Sequence, residues 1–110
     1  MTIYTKGFRV TSSDAGAEVV SLISTTEETK KALRICYTDV ITNPVVLWVN
    51  IEREKIVDDV PLEVIADATP ERIIQLDATI PVGQQLRAYV KPLTLGSQGT
   101  IVGFLEYEIV

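Results

Sequence analysis

The last third of the chain alternates apolar and polar residues in two runs, residues 76–90 and 100–110. A period of two places successive side chains on opposite faces of a β-strand. Pro81-Val82-Gly83 interrupts the first run with turn-forming residues, and a small, polar loop separates it from the second. The pattern predicts a compact β-rich unit. One side of the terminal strand, predicted to face the core, carries Ile101, Gly103, Leu105, Tyr107 and Ile109.

Residues 45–51 are predicted to form another strand, because Asn43-Pro44 breaks the chain before a run rich in β-branched residues. Both faces of this strand are largely apolar, with Val45, Leu47, Val49 and Ile51 on one side and Val46, Trp48 and Asn50 on the other. A strand with one solvated face would alternate apolar with polar residues. We therefore expect something to pack on each side of it.

Further strands are predicted at residues 3–10, 18–24 and 32–39, the last with Leu33, Ile35 and Tyr37 on one face. The alternating charges of residues 52–55 suit a hairpin tip or a solvated strand end, after which Ile56-Val57 resumes the apolar pattern. About seven or eight short strands with regular turns predict an all-β fold of antiparallel sheets, a sandwich or a barrel. A chain of 110 residues fits one such domain, spanning 1–110.

Two segments also carry helix signals. Thr25-Thr26-Glu27-Glu28 fits a capping box, which would begin a helical turn over residues 26–32. Thr69-Pro70-Glu71 fits a helix start over residues 70–76, but the period-two alternation that runs on to Ile80 favours a strand. One short helix in an otherwise all-β fold therefore stays open.

The sequence contains no set of residues typical of a catalytic, cofactor-binding or metal site. Histidine is absent, which removes the usual general base and the commonest partner of a Ser or Cys nucleophile. Cys36 is the only cysteine, so it is expected to be a buried structural thiol. The acidic pairs Glu27-Glu28 and Asp58-Asp59 match no calcium-loop spacing and are expected to be solvated. The chain is therefore predicted not to be an enzyme and to need no cofactor.

Charge and hydropathy restrict partners and location. The formal net charge is -5, and no basic cluster is longer than Lys30-Lys31, so nucleic-acid binding is disfavoured. The first residues lack the pattern of a signal peptide, and the apolar runs are too short to span a membrane. A cytoplasmic location is the expectation for a cellular protein.

The apolar strand Val45-Val46-Leu47-Trp48-Val49, the turn and strand at residues 80–86 and the final strand at residues 102–107 resemble small β-sandwich structural proteins of phages and of archaeal or bacterial viruses. The resemblance covers roughly residues 18–110 at the level of pattern. It implies a jelly-roll-like sandwich that assembles with copies of itself and decorates, joins or caps a larger shell. A virion would then be its location.

Three hypotheses follow. The first is a structural or assembly protein that self-associates, with Trp48, Phe104 and Tyr107 as candidate interface residues, although a core role suits them equally. The second is a ligand-binding sandwich, with carbohydrate as the expected ligand, that uses exposed members of the set Tyr37, Trp48 and Tyr89. The third, an enzyme of the glycoside-hydrolase kind, would need only carboxylates.

Overall fold

A computed structural model describes residues 2–12, 18–23, 27–65, 72–94 and 96–110. The described residues form eight β-strands and no helix. The strands are β1 (Ile3–Thr11), β2 (Glu18–Ile23), β3 (Lys30–Ile41), β4 (Val45–Ile51), β5 (Glu54–Leu62), β6 (Arg72–Ile80), β7 (Leu86–Pro92) and β8 (Thr100–Ile109). The predicted all-β fold is confirmed.

The strands make two four-stranded antiparallel sheets. The first sheet has the order β1-β8-β3-β6 and the second the order β2-β7-β4-β5. Only β4 and β5, joined by a hairpin at Glu52-Arg53, are consecutive strands that pair with each other. Every other pairing joins strands distant in the chain, which is the connectivity of an eight-stranded jelly roll.

The core lies between the inner faces of the two sheets. The first sheet contributes Ile35, Ile101 and Leu105, and the second contributes a continuous layer of Val45, Leu47, Val49, Leu86, Ala88 and Val90, all fully buried. Burial of each larger aliphatic side chain contributes about 1.5–3 kcal/mol. These positions are the ones that the alternation of β4, β7 and β8 predicted.

Strand β3 departs from simple alternation. Its register shifts between Ala32 and Arg34, where Leu33 is an extra residue relative to β8, whereas opposite β6 the extra residue lies on β6. Ala32 and Ile35 are both buried in the core, whereas Leu33 is half-buried and lies outside it. The prediction that Leu33 shares the core face with Ile35 is wrong, because the bulge resets the side-chain period.

The two helix signals are resolved where the chain is described. Residues 72–80 are strand β6, whose alternate residues Ile74, Leu76 and Ala78 pack on the core as predicted. The helix start at Thr69-Pro70-Glu71 lies outside the described residues. A helical turn over 26–32 is wrong, since β3 begins at Lys30, where it pairs with β6 and β8. Those two ladders supply more backbone hydrogen bonds than a local capping box would.

The turn predicted at Val82-Gly83 is present. Gln84 N–H donates to the Pro81 carbonyl oxygen at 3.1 Å, and Gly83 has a φ of 85°. A positive φ at the third position is that of a type II turn, which glycine adopts without strain. The turn ends β6 and lets the chain cross to the second sheet.

The end of β8 differs from its prediction. Ile109, expected to face the core, is 44% exposed, whereas its neighbour Glu108 is only 8% exposed. β1 begins opposite Glu108, so Ile109 has a described strand neighbour, β3, on one side only. The corner of the first sheet therefore leaves this isoleucine open to solvent.

Candidate interaction surfaces on the outer faces of the sandwich

The outer face of the second sheet carries a stacked aromatic pair. Trp48 on β4 lies directly opposite Tyr89 on β7, and Tyr89 lies opposite Val19 on β2. The Trp48 and Tyr89 rings have centroids 5.3 Å apart and planes 3° from parallel. We call this surface the Trp48 face, and its residues are Val19, Val46, Trp48, Asn50, Lys55, Arg87, Tyr89 and Lys91.

Two lysine ammonium groups lie over the Trp48 ring. Lys91 Nζ is 5.4 Å and Lys55 Nζ is 5.5 Å from the ring centroid, within the range of cation–π attraction. Lys55 also forms ion pairs with Asp58 at 3.4 Å and Asp59 at 3.6 Å. The indole is thus already in contact with a phenol and two cations, and a sugar ring would have to displace one of them to stack on it.

Apolar and polar groups adjoin this stack. Val46 is buried although it points away from the core, and Val19 is 54% exposed. Arg87 donates from Nε and Nη2 to Gln85 Oε1, at 3.1 and 2.7 Å. Asn50 Oδ1 is buried and accepts no hydrogen bond from the described residues. The Trp48 face therefore combines a half-buried aromatic pair with three cations, of which Lys55 is paired with acids, whereas Arg87 and Lys91 form no ion pair with a described acid.

The outer face of the first sheet has its own apolar row. Phe104 lies opposite Gly7 on one side and Cys36 on the other, and Cys36 lies opposite Ile73. Phe104 is half-buried and Ile73 is 53% exposed. The absence of a side chain at Gly7 leaves the edge of Phe104 uncovered on that side. This row, Gly7-Phe104-Cys36-Ile73, is a second candidate contact surface.

Cys36 is buried in that row, as predicted for the single thiol. Its Sγ donates to Glu106 Oε1 at 3.5 Å, and Arg34 Nη1 lies 3.8 Å from Glu106 Oε2. Further along β8, Glu108 lies opposite Lys31, and its buried Oε2 makes no hydrogen bond with the described residues. The first sheet thus carries mixed charge beside its apolar row.

The three predicted interface residues do not form one surface. Trp48 belongs to the outer face of the second sheet and Phe104 to that of the first, on opposite sides of the sandwich. Tyr107 faces inward, packs against the core and stacks on Tyr4 with ring centroids 5.5 Å apart. Lys30 Nζ lies 5.3 Å from the Tyr107 ring centroid, at the end of the first sheet.

The sugar platform was predicted to use the exposed members of its aromatic set, and Tyr37, which is buried in the core, is not one of them. Sequence reasoning did not single out Arg87, Lys91 or Lys55. The sequence does indicate that Arg87 and Lys91 share a face of β7 with Tyr89, since these three residues alternate with the buried residues of that strand. That these cations surround Trp48 depends on the pairing of β7 and β5 with β4, which the sequence did not show.

The edge strands are poorly suited to strand addition. Lys6 on β1 and Glu18 on β2 share inward-facing rows with Leu105 and Val90, and Arg72 shares one with Tyr37. Inward-pointing charges at sheet edges oppose pairing with another chain, because the pairing would bury them. The β5 edge carries Pro61 instead. Contacts between molecules are therefore expected on the faces.

A shallow cleft of about 350 Å³ lies where β3 ends, and it is lined by Asp39, Val40, Ile41, Thr42, Val64 and Ile65. Its lining among the described residues holds one carboxylate, Asp39, and one hydroxyl, Thr42, beside apolar side chains. Within the described ranges, no group of three or more Cys, Asp or Glu residues is placed to hold a metal ion. No helix among those residues is long and apolar enough to cross a membrane.

No protein-family model matches the chain, and no curated protein matches it. Similar solved structures include the following two. One is the nucleoplasmin-like N-terminal domain of Drosophila FKBP39, at 12% identity and a TM-score of 0.39, covering 92% of this chain and 88% of that chain. The other is infectious bursal disease virus, Gt strain, at 10% identity and a TM-score of 0.46, covering 96% of this chain and 32% of that chain. Neither likeness bears on function at these scores, so function is argued from the geometry.

Proposed function

We propose that this chain is a non-enzymatic assembly protein that works by self-association through the broad faces of its sandwich. The observation that carries the proposal is the Trp48 face, where a stacked aromatic pair and two apolar residues lie on the outside of a sheet. In an antiparallel sandwich that acts alone, this face would be solvated and largely polar. Tryptophan, tyrosine and arginine are enriched at the centres of protein interfaces.

The row containing Phe104 and Ile73 on the opposite side supports an assembly with more than one contact. The two apolar surfaces lie on the outer faces of different sheets, so one copy can contact neighbours on both sides. The protected edges agree with this view, because they disfavour growth by uncontrolled strand pairing. A building block needs specific faces and blocked edges.

The setting that we propose is a virion, as a capsid, decoration or head-tail component. What supports it is the jelly-roll connectivity, which viral capsid subunits share with lectins and cupins. The proposed partners are other copies of the chain and further structural proteins. Nucleic acid is not among them, given the net charge of -5.

The alternative of a carbohydrate-binding sandwich is less well supported. A sugar platform needs an aromatic ring with a face open to solvent, and Trp48 is in contact with Tyr89, Lys55 and Lys91. Trp48 is the only tryptophan, so its fluorescence reports directly on this question. A shift with any member of a glycan panel would favour the sugar-binding alternative.

Solution mass tests the proposal. Sedimentation velocity and light scattering, over a concentration series, should give a mass that rises above the 12.1 kDa of one chain. Trp48→Ala should shift that rise to higher concentration, while a matched change away from both faces, Gln98→Ala, should leave it unchanged. A strict monomer at millimolar concentration would reject self-association.

A further inference from the structure

We propose that the Trp48 face binds a different surface of a second copy, the acidic outer margin of β5, so that copies join head to tail instead of about a two-fold axis. The proposal rests on the self-association proposed above and names the two surfaces that meet. Its support is the placement of cations around Trp48, a row of acidic and apolar side chains on β5, and the equal spacing of the two sets.

Pairing of the Trp48 face with itself brings cations together. In the strand register, Arg87 and Lys55 lie on either side of Asn50, and Lys91 lies two residues beyond Tyr89. A two-fold axis parallel to β4 places Arg87 over Lys55 of the second copy. An axis across the strands, through the aromatic pair, places Arg87 over Lys91 of the second copy instead. Like charges that meet in an interface are unfavourable, so a second Trp48 face is a poor partner.

The outer side of β7 has a cation at each end and an aromatic ring between them. Arg87, Tyr89 and Lys91 alternate with buried residues, and each of the three is half-buried. Neither cation forms an ion pair with a described acid. We call these three residues the β7 row. Residues four apart in a strand are separated by about 13 Å, so two carboxylates at that spacing, with an apolar group between them, would complement the whole row.

The outer margin of β5 carries such a set. Pro61 lies opposite Val46, on the outer side of the second sheet, and Asp59 and Glu63 lie two residues before and after it. These three residues, which we call the β5 row, are all exposed. Asp59 pairs with Lys55, whereas Glu63, just past the end of β5, forms no ion pair with a described cation. The β5 row is therefore acidic at both ends and apolar in the middle.

The two rows match in chemistry and in spacing. With Pro61 of a second copy over Tyr89, the two acids of the β5 row lie over the two cations of the β7 row. The match holds in either strand direction, because each row has the same kind of group at both ends. Lys55 of the second copy then lies past the end of the β7 row and over neither of its cations. The contact has an apolar centre and a polar rim, as specific interfaces have.

A contact between two different surfaces leaves one of each free on the pair. The first copy keeps an unoccupied β5 row and the second keeps an unoccupied Trp48 face, so a third copy can add at either end. Association of this kind continues beyond the dimer until a ring closes or a filament forms. Few residues take part in each contact, so a single contact should be weak and its repetition in an assembly should strengthen the whole.

Charge reversal on each row tests the contact. Arg87→Glu/Lys91→Glu makes the β7 row acidic, and Asp59→Lys/Glu63→Lys makes the β5 row basic. Each variant alone should associate at least about tenfold more weakly than the parent, because like charges then meet. A mixture of the two variants should recover association, since every row then faces the opposite charge on its neighbour. Sedimentation velocity over a concentration series measures both results.

Two control variants carry the same charge changes outside both rows. Lys6→Glu/Arg72→Glu lies at the edges of the first sheet, and Glu27→Lys/Asp77→Lys changes two exposed acids. Both controls should associate like the parent. Thermal unfolding of every variant shows whether lost association reflects a lost fold.

The outcomes separate this contact from the proposed function. A parent that grows beyond the dimer, and that is weakened by both reversals, supports the head-to-tail contact. If the parent stops at the dimer at every concentration, if the variant of the β5 row keeps the parent mass, or if the mixture shows no recovery, the contact is overturned while self-association stands. If the parent is a monomer throughout, both fall.

Crosslinking provides a test that does not alter charge. Val19→Cys, beside Tyr89 on β2, and Pro61→Cys on β5 place thiols at exposed positions, whereas the native Cys36 is buried. Packed sheets lie about 10 Å apart, within reach of a short bismaleimide. At a concentration where the parent associates, the mixture of the two variants should crosslink to a dimer, and either variant alone should not. Crosslinks within one variant and none in excess of these in the mixture would overturn the contact.

Discussion

The indole ring of Trp48 and the phenol ring of Tyr89 lie parallel within 3°, one strand apart, on the outside of the second sheet. The pair connects β4 to β7 on the outer face of the sheet. On the inner face of β4, Val45, Leu47 and Val49 pack in the core. Side chains on both faces of β4 are therefore packed against neighbouring residues. The stack also presents the largest aromatic surface of this face, which is why the proposed contacts centre on it.

The Trp48–Tyr89 stack should contribute a measurable coupling free energy. In a double-mutant cycle of Trp48→Ala and Tyr89→Ala, urea denaturation followed by circular dichroism should give about 0.5–1.5 kcal/mol of interaction. The measurement belongs at dilute concentration, so that unfolding of the monomer is observed. The pair Trp48→Ala and Tyr4→Ala, which share no contact, should be additive. Additivity of both pairs would show that the stack is not energetically significant.

Gly103 should not tolerate a side chain. A Cβ there would overlap the Cys36 carbonyl oxygen and lie 3.0 Å from Tyr37 Cα, both backbone atoms of the adjacent strand β3. Gly103→Ala is therefore expected to lower the free energy of unfolding by about 1–3 kcal/mol, as overpacking does. The matched control is Gly7→Ala on β1, where the nearest atom is 4.0 Å away. Equal melting temperatures for the two variants would contradict the close approach of β8 and β3.

Truncation of Leu105 and of Ile109 should lower the free energy of unfolding by very different amounts, although alternation places both residues on the same side of β8. Leu105 is fully buried, so Leu105→Ala should cost about 2–5 kcal/mol of unfolding free energy. Ile109 lies at the exposed corner, and Ile109→Ala should cost less than about 1 kcal/mol. Chemical denaturation of both variants measures the difference, and a similar cost at the two positions would place Ile109 in the core.

Lys6 should limit aggregation through the β1 edge. Lys6→Val removes the inward-pointing charge of an edge strand and should increase aggregation on heating, measured as light scattering below the melting temperature. Thr5→Val, one residue away on the outward side of the same strand, adds similar hydrophobicity and keeps Lys6. Its scattering should stay near that of the parent. Equal scattering from the two variants would argue that the inward charge does not protect this edge.

Alternation predicted the elements well where the strands are regular. In β6, Ile74, Leu76 and Ala78 pack on the core as the pattern indicates, and the helix signal upstream did not extend into the strand. In β3 the same reasoning failed at Leu33, because the register shifts by one residue there relative to β8, and it shifts again between Tyr37 and Asp39. A bulge is set by two neighbouring strands, and neither neighbour is close to β3 in sequence.

The candidate site was only partly predictable. Trp48 was recognised as a strand residue with something to pack against, but its neighbours Tyr89, Lys91 and Lys55 come from β7 and β5. Phe104 and Tyr107 belong to one strand, and the structure places them on opposite faces of the first sheet. Which surface a residue belongs to depends on which strands pair beside it.

The sequence by itself predicted about seven or eight strands and the inner positions of β4, β6, β7 and most of β8, and it contains no histidine and a single cysteine. These are local properties, because side-chain alternation and turn formation act over a few residues. Only the tertiary structure decided that β7 and β8, consecutive in the chain, lie in different sheets, and that Lys91 of β7 and Lys55 of β5 lie over the Trp48 ring. Sheet order and register depend on pairing between distant strands, which the free energy of the whole core selects.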